Sequence, residues 1–173
     1  MRFPPTVVRP LRAVDVAAVT AALPGLPHAP TNKHEERLEL QDAGSATYLI
    51  AWQGGEPVGQ VLMHSSPVSE QGVAAGCAEL EDLFVCEEKR RRGIGRALLA
   101  AAESATRAAG ARRLGFGVSV ANPSNAAARR LYERCGYTDS GLGEFVLGYT
   151  YWDELGERHR DEELHRYVTK PLR

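Results

Sequence analysis

Residues 77–110 constrain this chain more than any other stretch, because a strand signal, a turn signal and a helix signal follow one another there without a gap. Residues 78–86 alternate, with Leu80, Phe84 and Cys86 on one parity and Glu79, Glu81, Leu83 and Val85 on the other, as the side chains of a sheet strand do. The acids are therefore expected to share a face. From Ile94 onward apolar residues return at helical spacing (Ile94, Ala97, Leu98, Ala101, Ala105, Ala108), and Gly110 stands where a helix stop is expected. Between strand and helix, Arg90-Arg91-Arg92-Gly93-Ile94-Gly95-Arg96 places four guanidinium groups and two glycines at a helix start. Unpaired amide N–H groups and the positive end of the helix dipole meet there, which makes a phosphate or pyrophosphate the natural guest. Arginine adds charge-assisted, often bidentate hydrogen bonds to phosphate oxygens.

A run of arginines in a turn is also what a solvated face looks like, and short Gly-x-Gly patterns are common. The two established phosphate loops fit poorly: there is no Gly-Lys-Ser/Thr and no third glycine of a dinucleotide fingerprint. The residues resemble instead the GNAT superfamily of N-acetyltransferases, whose acyl-CoA motif is Arg or Gln, two residues, Gly, one residue, Gly or Ala. The chain has it as Arg90-x-x-Gly93-x-Gly95, with Val85 five residues before the arginine. Downstream, Asn125-Ala126-Ala127-Ala128-Arg129-Arg130-Leu131-Tyr132-Glu133-Arg134-Cys135-Gly136-Tyr137 is similar to the family's Asn-x-x-Ala-x-x-Leu-Tyr-x-Lys-x-Gly-Phe, with Arg for Lys and Tyr for Phe. The resemblance covers roughly residues 6–137 in layout and is specific in the two motifs.

Length and composition are compatible with that resemblance. The 173 residues fit one domain, expected to span 1–173, with a sizeable core. The hydrophobic fraction of 43% and the formal charge of −1 are those of a soluble protein with no bulk attraction to nucleic acid or an anionic membrane. No apolar run approaches the roughly 20 residues of a membrane span, and the first residues do not open a signal peptide, so a cytoplasmic chain is expected. Cys77, Cys86 and Cys135 are odd in number, widely spaced and set in apolar segments, which suits reduced thiols better than disulfides or a zinc site.

In chain order, residues 7–12 read as a first strand, Asp15 as a helix cap, and the alanine-rich run to Leu23 as a helix. Residues 24–30, with three prolines and a glycine, must be irregular, and a charged helix follows over 32–42. Residues 47–52 and 58–63 form a hairpin around Gly54-Gly55, and 65–76 read as a polar loop. Residues 113–120 give the next strand and Pro123 suits a helix start. Residues 144–152 and 163–169 read as closing strands joined by the charged segment 153–162. His159 and His165 lie there without metal-ligand spacing and are taken as surface or acceptor-side residues; no metal is expected.

The fold expected is α/β, a mixed, largely antiparallel sheet of six or seven strands with helices on both faces. The resemblance implies that the fourth and fifth strands splay to admit the CoA arm. It further implies acetyl-CoA as co-substrate, held by Leu83, Phe84 and Val85, by the turn residues Arg90, Arg91, Arg92, Gly93, Ile94, Gly95, Arg96 and Ala97, and by Asn125, Ala128 and Tyr132. Asn125, Ala128 and Tyr132 fall at i, i+3 and i+7 and share a helix face, a pattern that core packing alone would also produce. An alkyl amine is mostly protonated at neutral pH, so a base must free its lone pair before it attacks the thioester. Glu79 and Glu81 occupy the strand positions from which family members act, often through water, while solvated strand carboxylates are the plain alternative. Backbone N–H groups near residues 83–85 would hold the oxyanion, and Tyr132 would protonate the departing thiolate.

The function expected is acetyl transfer to a primary amine, on a small molecule or a peptide; a homodimer is left open. A non-catalytic acyl-CoA-binding module would keep residues 90–96 and have no use for Tyr132, and a Rossmann-type oxidoreductase would want its glycines near the first strand. A cationic acceptor is expected between the 24–30 loop with its following helix (Glu35, Glu36, Glu39, Asp42) and the C-terminal extension (Tyr149, Tyr151, Trp152, Asp153, Glu154).

Overall fold

The computed structural model describes residues 3–23 and 32–173, so the irregular segment expected at 24–30 lies outside the described residues. Its strands are β1 (Thr6–Pro10), β2 (Ala46–Gln53), β3 (Glu56–His64), β4 (Ala78–Val85), β5 (Arg113–Ser119), β6 (Thr138–Trp152) and β7 (Arg158–Pro171). They form one sheet in the order β1-β2-β3-β4-β5-β7-β6, antiparallel everywhere except between β4 and β5. That parallel pair holds only at Ala78 with Leu114 and Glu79 with Gly115, and the two strands then diverge. The splay implied by the resemblance is present.

The helices are α1 (Val16–Ala22), α2 (Lys33–Asp42), α3 (Glu70–Ala75), α4 (Ile94–Ala108) and α5 (Ala126–Arg134). β2 is buried almost from end to end because its alternate residues serve two cores. Leu49 and Ala51 join Val61, Met63, Leu114 and Phe116 beneath Leu98, Leu99 and Ala102 of α4. Tyr48, Ile50 and Trp52 face the other way, onto Leu11, Val19 and Leu23, with Leu38 of α2 at the margin. Helices therefore cover both faces, as expected.

Three local expectations change. The polar loop expected over 65–76 contains α3, started by Ser69, whose Oγ accepts from the Gly72 N–H at 3.0 Å, and closed by Gly76 in the left-handed region. The link between the closing strands is shorter than expected, because β6 runs to Trp152 and β7 starts at Arg158. Residues 158–162 are charged or polar on both faces, and such a strand, projecting into solvent, carries no alternation of hydrophobicity to reveal it.

Asp15 stands just before α1 without capping it through its side chain. Its carboxylate instead accepts from Arg9 Nη1 at 2.6 Å and Arg12 Nε at 2.9 Å, tying β1 to the helix entry. Those hydrogen bonds, from Arg9 and then Arg12, hold the carboxyl well below its usual range. A depressed folded-state value makes this contribution complete above the unfolded value near about 4 and removes it as pH falls toward the folded one. Asp15→Asn should cost about 2 kcal/mol in urea unfolding at neutral pH, and the gap to wild type should close below about pH 4. A gap that stays constant down to acid pH would show that the pair contributes nothing through charge.

Candidate active site

The geometry of the cleft begins with one extra residue in β4. Glu79, Leu80 and Glu81 pair with His64, Met63 and Leu62, and Phe84 and Val85 with Gln60 and Gly59, which leaves Asp82 and Leu83 opposite Val61 alone. Asp82 takes φ +54°, a left-handed conformation that aspartate tolerates better than most residues. The bulge overturns the simple parity of the sequence. Leu83 and Val85, expected on the side of the acids, pack with Leu80 on the α4 core, while Cys86 reaches the opposite core. Asp82 Oδ2 is fixed by Gln60 Nε2 at 2.6 Å, Arg37 Nη1 at 2.9 Å and Lys33 Nζ at 3.3 Å. Gln60 in turn accepts from the buried Tyr48 hydroxyl at 2.7 Å, and burial pushes that phenol up to about 12.

The two candidate bases have different surroundings. Glu79 is buried, and its carboxylate accepts from the backbone N–H groups of Val68 and Ser69, from Ser69 Oγ and from Tyr167 Oη at 3.0 Å. Its oxygens are fully engaged in holding the turn before α3 against β4 and β7. Glu81 is the more open of the two, its side chain 55% exposed. Its Oε2 lies 2.8 Å from His64 Nε2, and its Oε1 lies 3.5 Å from Arg37 Nη2. The His64 hydrogen bond, with help from Arg37, holds the Glu81 carboxyl below its ordinary value.

At the start of α4, Arg91 and Gly93 take φ +60° and +79°, so the chain turns sharply before entering the helix. Among the described residues, no hydrogen bond is made by the backbone N–H groups from Arg91 to Arg96. Such a row of unpaired donors at a fifteen-residue helix is a cradle for an anion. Gly95 brings the helix close to α5, since a Cβ there would stand 3.0 Å from Leu131 Cδ2, and at Gly93 a Cβ would meet only open space. The arginines divide: Arg90 Nε donates to the Val85 carbonyl at 3.0 Å and Arg92 Nη2 to that of Glu88 at 2.9 Å, whereas the exposed side chains of Arg91 and Arg96 make no hydrogen bond among the described residues.

Asn125, Ala128 and Tyr132 line one cavity of about 170 Å³ together with Ser119, Glu163 and His165. Tyr132 packs edge-on against Phe116, ring centroids 4.7 Å apart, and its hydroxyl makes no hydrogen bond among the described residues. Burial raises its pKa, so it remains a proton donor at neutral pH. His165 was expected on the surface or the acceptor side, whereas Glu163, His64, Arg37 and Asp82 had no sequence signal as site residues, because the partners that give them a setting come largely from other strands and helices.

Two surroundings differ from expectation. In α2 the residues that reach β4 are Lys33 and Arg37, while Glu35, Glu36, Glu39 and Asp42 are exposed. In the β6–β7 turn, Asp153, Glu157 and His159 come within 4.8 Å of one another although spacing did not indicate it. Asp153 already accepts from Leu155 and Glu157 N–H groups at 2.9 Å and from His159 Nε2 at 2.7 Å, which locks the turn.

A sheet whose parallel pair splays beside the N-terminus of a long helix, with a phenol in a neighbouring cavity, is a framework that suits acyl transfer. The acetyltransferase (GNAT) family model matches residues 18–137, and the chain belongs to that family. Among solved structures it is similar to a ribosomal-protein-alanine N-acetyltransferase from Brucella melitensis, at TM-score 0.69 and 21% identity over 96% of this chain and 99% of that one. It is also similar to a phosphinothricin acetyltransferase from Sinorhizobium meliloti in complex with AcCoA, at TM-score 0.65 and 20% identity over 96% and 88%. The ribosomal-protein-S18-alanine N-acetyltransferase of Escherichia coli aligns at TM-score 0.63 and 20% identity over 97% and 94%. No match is found among curated protein sequences. At these identities the structural likeness establishes the fold. No helix of the described residues is long and apolar enough to cross a membrane.

Proposed function

We propose that this chain transfers an acetyl group from acetyl-CoA to a primary amine by direct attack in a ternary complex. Two observations carry the reading: among the described residues the N–H groups from Arg91 to Arg96 at the start of α4 make no hydrogen bond, and neither does the hydroxyl of Tyr132, which lines the cavity beside β5. The diphosphate would sit on those N–H groups, with Arg91 and Arg96 beside it and Gly93 leaving the approach open. The arm would follow the opening between β4 and β5, past the backbone of Leu83, Phe84 and Val85 and along Asn125 and Ala128, to bring the thioester to Tyr132. An N–H group at the bulge is then the natural donor to the carbonyl oxygen as it becomes an oxyanion. Glu81, ionised and open to solvent, attracts the ammonium form of the acceptor, and Glu79 holds the adjoining turn in place. Tyr132 gives its proton to the thiolate as the C–S bond breaks.

Binding alone makes no use of a phenol with no hydrogen-bond partner among the described residues, which is why transfer is preferred to a purely acyl-CoA-binding role. The direct test is release of CoA thiol from acetyl-CoA with spermidine, glycinamide, kanamycin and an alanine-initiated peptide. Turnover with any of them supports transfer, and acetyl-CoA binding with no turnover supports the binding module.

The phosphate cradle is tested separately by calorimetry with acetyl-CoA. Gly95→Glu should weaken affinity at least ~100-fold, about 2.7 kcal/mol, by placing a carboxylate among the phosphate donors. Gly95→Ala serves as the packing control, because both variants carry the same Cβ contact with Leu131. Equal affinities in the two variants would remove the diphosphate from this turn.

A further inference from the structure

The reaction needs a base, and neither carboxylate supplies one well. Glu79 accepts from four donors, and Glu81 is held ionised by His64 and Arg37. A carboxylate stabilised as an anion attracts an ammonium group but takes its proton reluctantly. Across the cavity at Tyr132, His165 is buried on β7, directly opposite Ser119 of β5 in the strand register. Its Nδ1 lies 3.0 Å from the Glu163 carbonyl oxygen. A carbonyl only accepts, so Nδ1 carries the proton, and in the neutral ring the lone pair is left on Nε2. The nearest anionic atom to Nε2 is Glu163 Oε2 at 3.8 Å, too far for a hydrogen bond, so the lone pair on Nε2 is not engaged by it.

A second observation is independent of the histidine. Ser119, a lining residue of the same cavity, is only 4% exposed, and its Oγ has no hydrogen-bond partner among the described residues. An orphaned buried hydroxyl is costly unless something that enters the cavity satisfies it. A small group bearing N–H donors meets the requirements of Ser119 Oγ and His165 Nε2 together.

We propose that this cavity receives the acceptor's ammonium group and that His165 Nε2 is the general base that deprotonates it. The inference rests on the acetyl-transfer reading above. One ammonium proton passes to Nε2 and on to solvent. The freed lone pair forms the C–N bond at the thioester carbonyl, and the C–S bond breaks. The second proton leaves the nitrogen as the sulfur takes one from Tyr132, so the phenol is restored and one proton is released overall. The groups facing His165 are Glu163 on its own strand, Ser119 and Gly117 on β5, Phe145 on β6 with ring centroids 5.9 Å away, and Tyr132 and Asn125 of the α5 segment. Only Glu163 and Tyr132 among these titrate, and Tyr132 stays protonated at neutral pH.

The test compares two nucleophiles in wild type and in His165→Asn, which keeps an amide donor for the Glu163 carbonyl and lacks Nε2. The first nucleophile is the fastest alkyl amine of the panel above, protonated at neutral pH, and the second is hydroxylamine, mostly unprotonated there. With the alkyl amine, kcat should fall about a hundredfold, while hydroxylamine turnover and calorimetric acetyl-CoA affinity change little. The deficit with the alkyl amine should shrink as pH rises toward its own deprotonation. Equal losses on both nucleophiles would make His165 a packing residue, and no loss on either would remove it from the reaction. Should the variant not fold, the wild-type pH profiles decide: an acidic limb with the alkyl amine whose midpoint lies well below the amine's own titration, and which is absent with hydroxylamine, supports the base, whereas a limb that follows the amine's own titration, or identical profiles, overturns it. Wild-type protein that turns over neither nucleophile overturns acetyl transfer and this inference with it, whereas an active wild type matched by His165→Asn overturns this inference alone.

Discussion

Tyr132→Phe is expected to lower the turnover number about a hundredfold and to leave acetyl-CoA affinity and unfolding free energy almost unchanged. The hydroxyl makes no hydrogen bond among the described residues, so its removal breaks no polar contact among them. The ring keeps its edge-on contact with Phe116 in the variant. A thiol that titrates near about 8.5 leaves tolerably even without help, which places the gain from a proton donor near the low end of the usual range for acid–base catalysis. Steady-state kinetics with the fastest amine of the panel, beside calorimetry, separates the two quantities. A variant that turns over like wild type would reduce Tyr132 to a packing residue on α5, and a loss confined to acetyl-CoA affinity would make it a binding group.

Gly115→Ala should be the most damaging small substitution in the sheet. Tyr167 reaches from β7 across the face of β5 to Glu79 of β4, and its ring passes directly over Gly115. A Cβ at Gly115 would stand 2.6 Å from Tyr167 Cε1 and 2.8 Å from its Oη. The ring is buried and stiff, so it must leave its rotamer and give up the 3.0 Å bond to Glu79, which also anchors the turn before α3. Overpacking together with a lost buried hydrogen bond amounts to about 3 kcal/mol, or roughly 10 °C in Tm for a chain of this size. The position lies where β4 and β5 part, so the cleft should loosen as well. A double-mutant cycle with Tyr167→Leu isolates the cause: most of the Gly115→Ala cost should vanish once the ring is gone. Costs that simply add would show that Gly115 is needed for another reason.

The strand, the arginine-glycine turn and the helix of residues 77–110 were legible because each is encoded by neighbours in sequence. Period-two alternation, glycines at a helix start and a helical apolar stripe are local signals, and their order already placed the turn at the helix N-terminus. The face shared by Asn125, Ala128 and Tyr132 was legible for the same reason, and these side chains do line one cavity. The helix over 70–75 was hidden by its brevity, and the outer half of β7 by the absence of any apolar face.

What the sequence determined by itself is therefore most of the elements, the family they belong to and the arginine-glycine turn at the start of α4. Tertiary structure alone decided which side chains meet. The bulge at Asp82 has no signature in the residues around it, since it depends on donors from Gln60, Arg37 and Lys33 on other elements, yet it sets which face Leu83 and Val85 occupy. Glu79 and Glu81 are alike in sequence, two residues apart on one strand. Their surroundings differ because Ser69 and Tyr167 converge on one, while His64 and Arg37 converge on the other. His165 reaches the cavity only because β7 pairs with β5 in a register that puts it opposite Ser119. Hydrogen-bond saturation, burial and the tautomer of a ring are properties of contacts between distant residues, and one-dimensional spacing does not carry them.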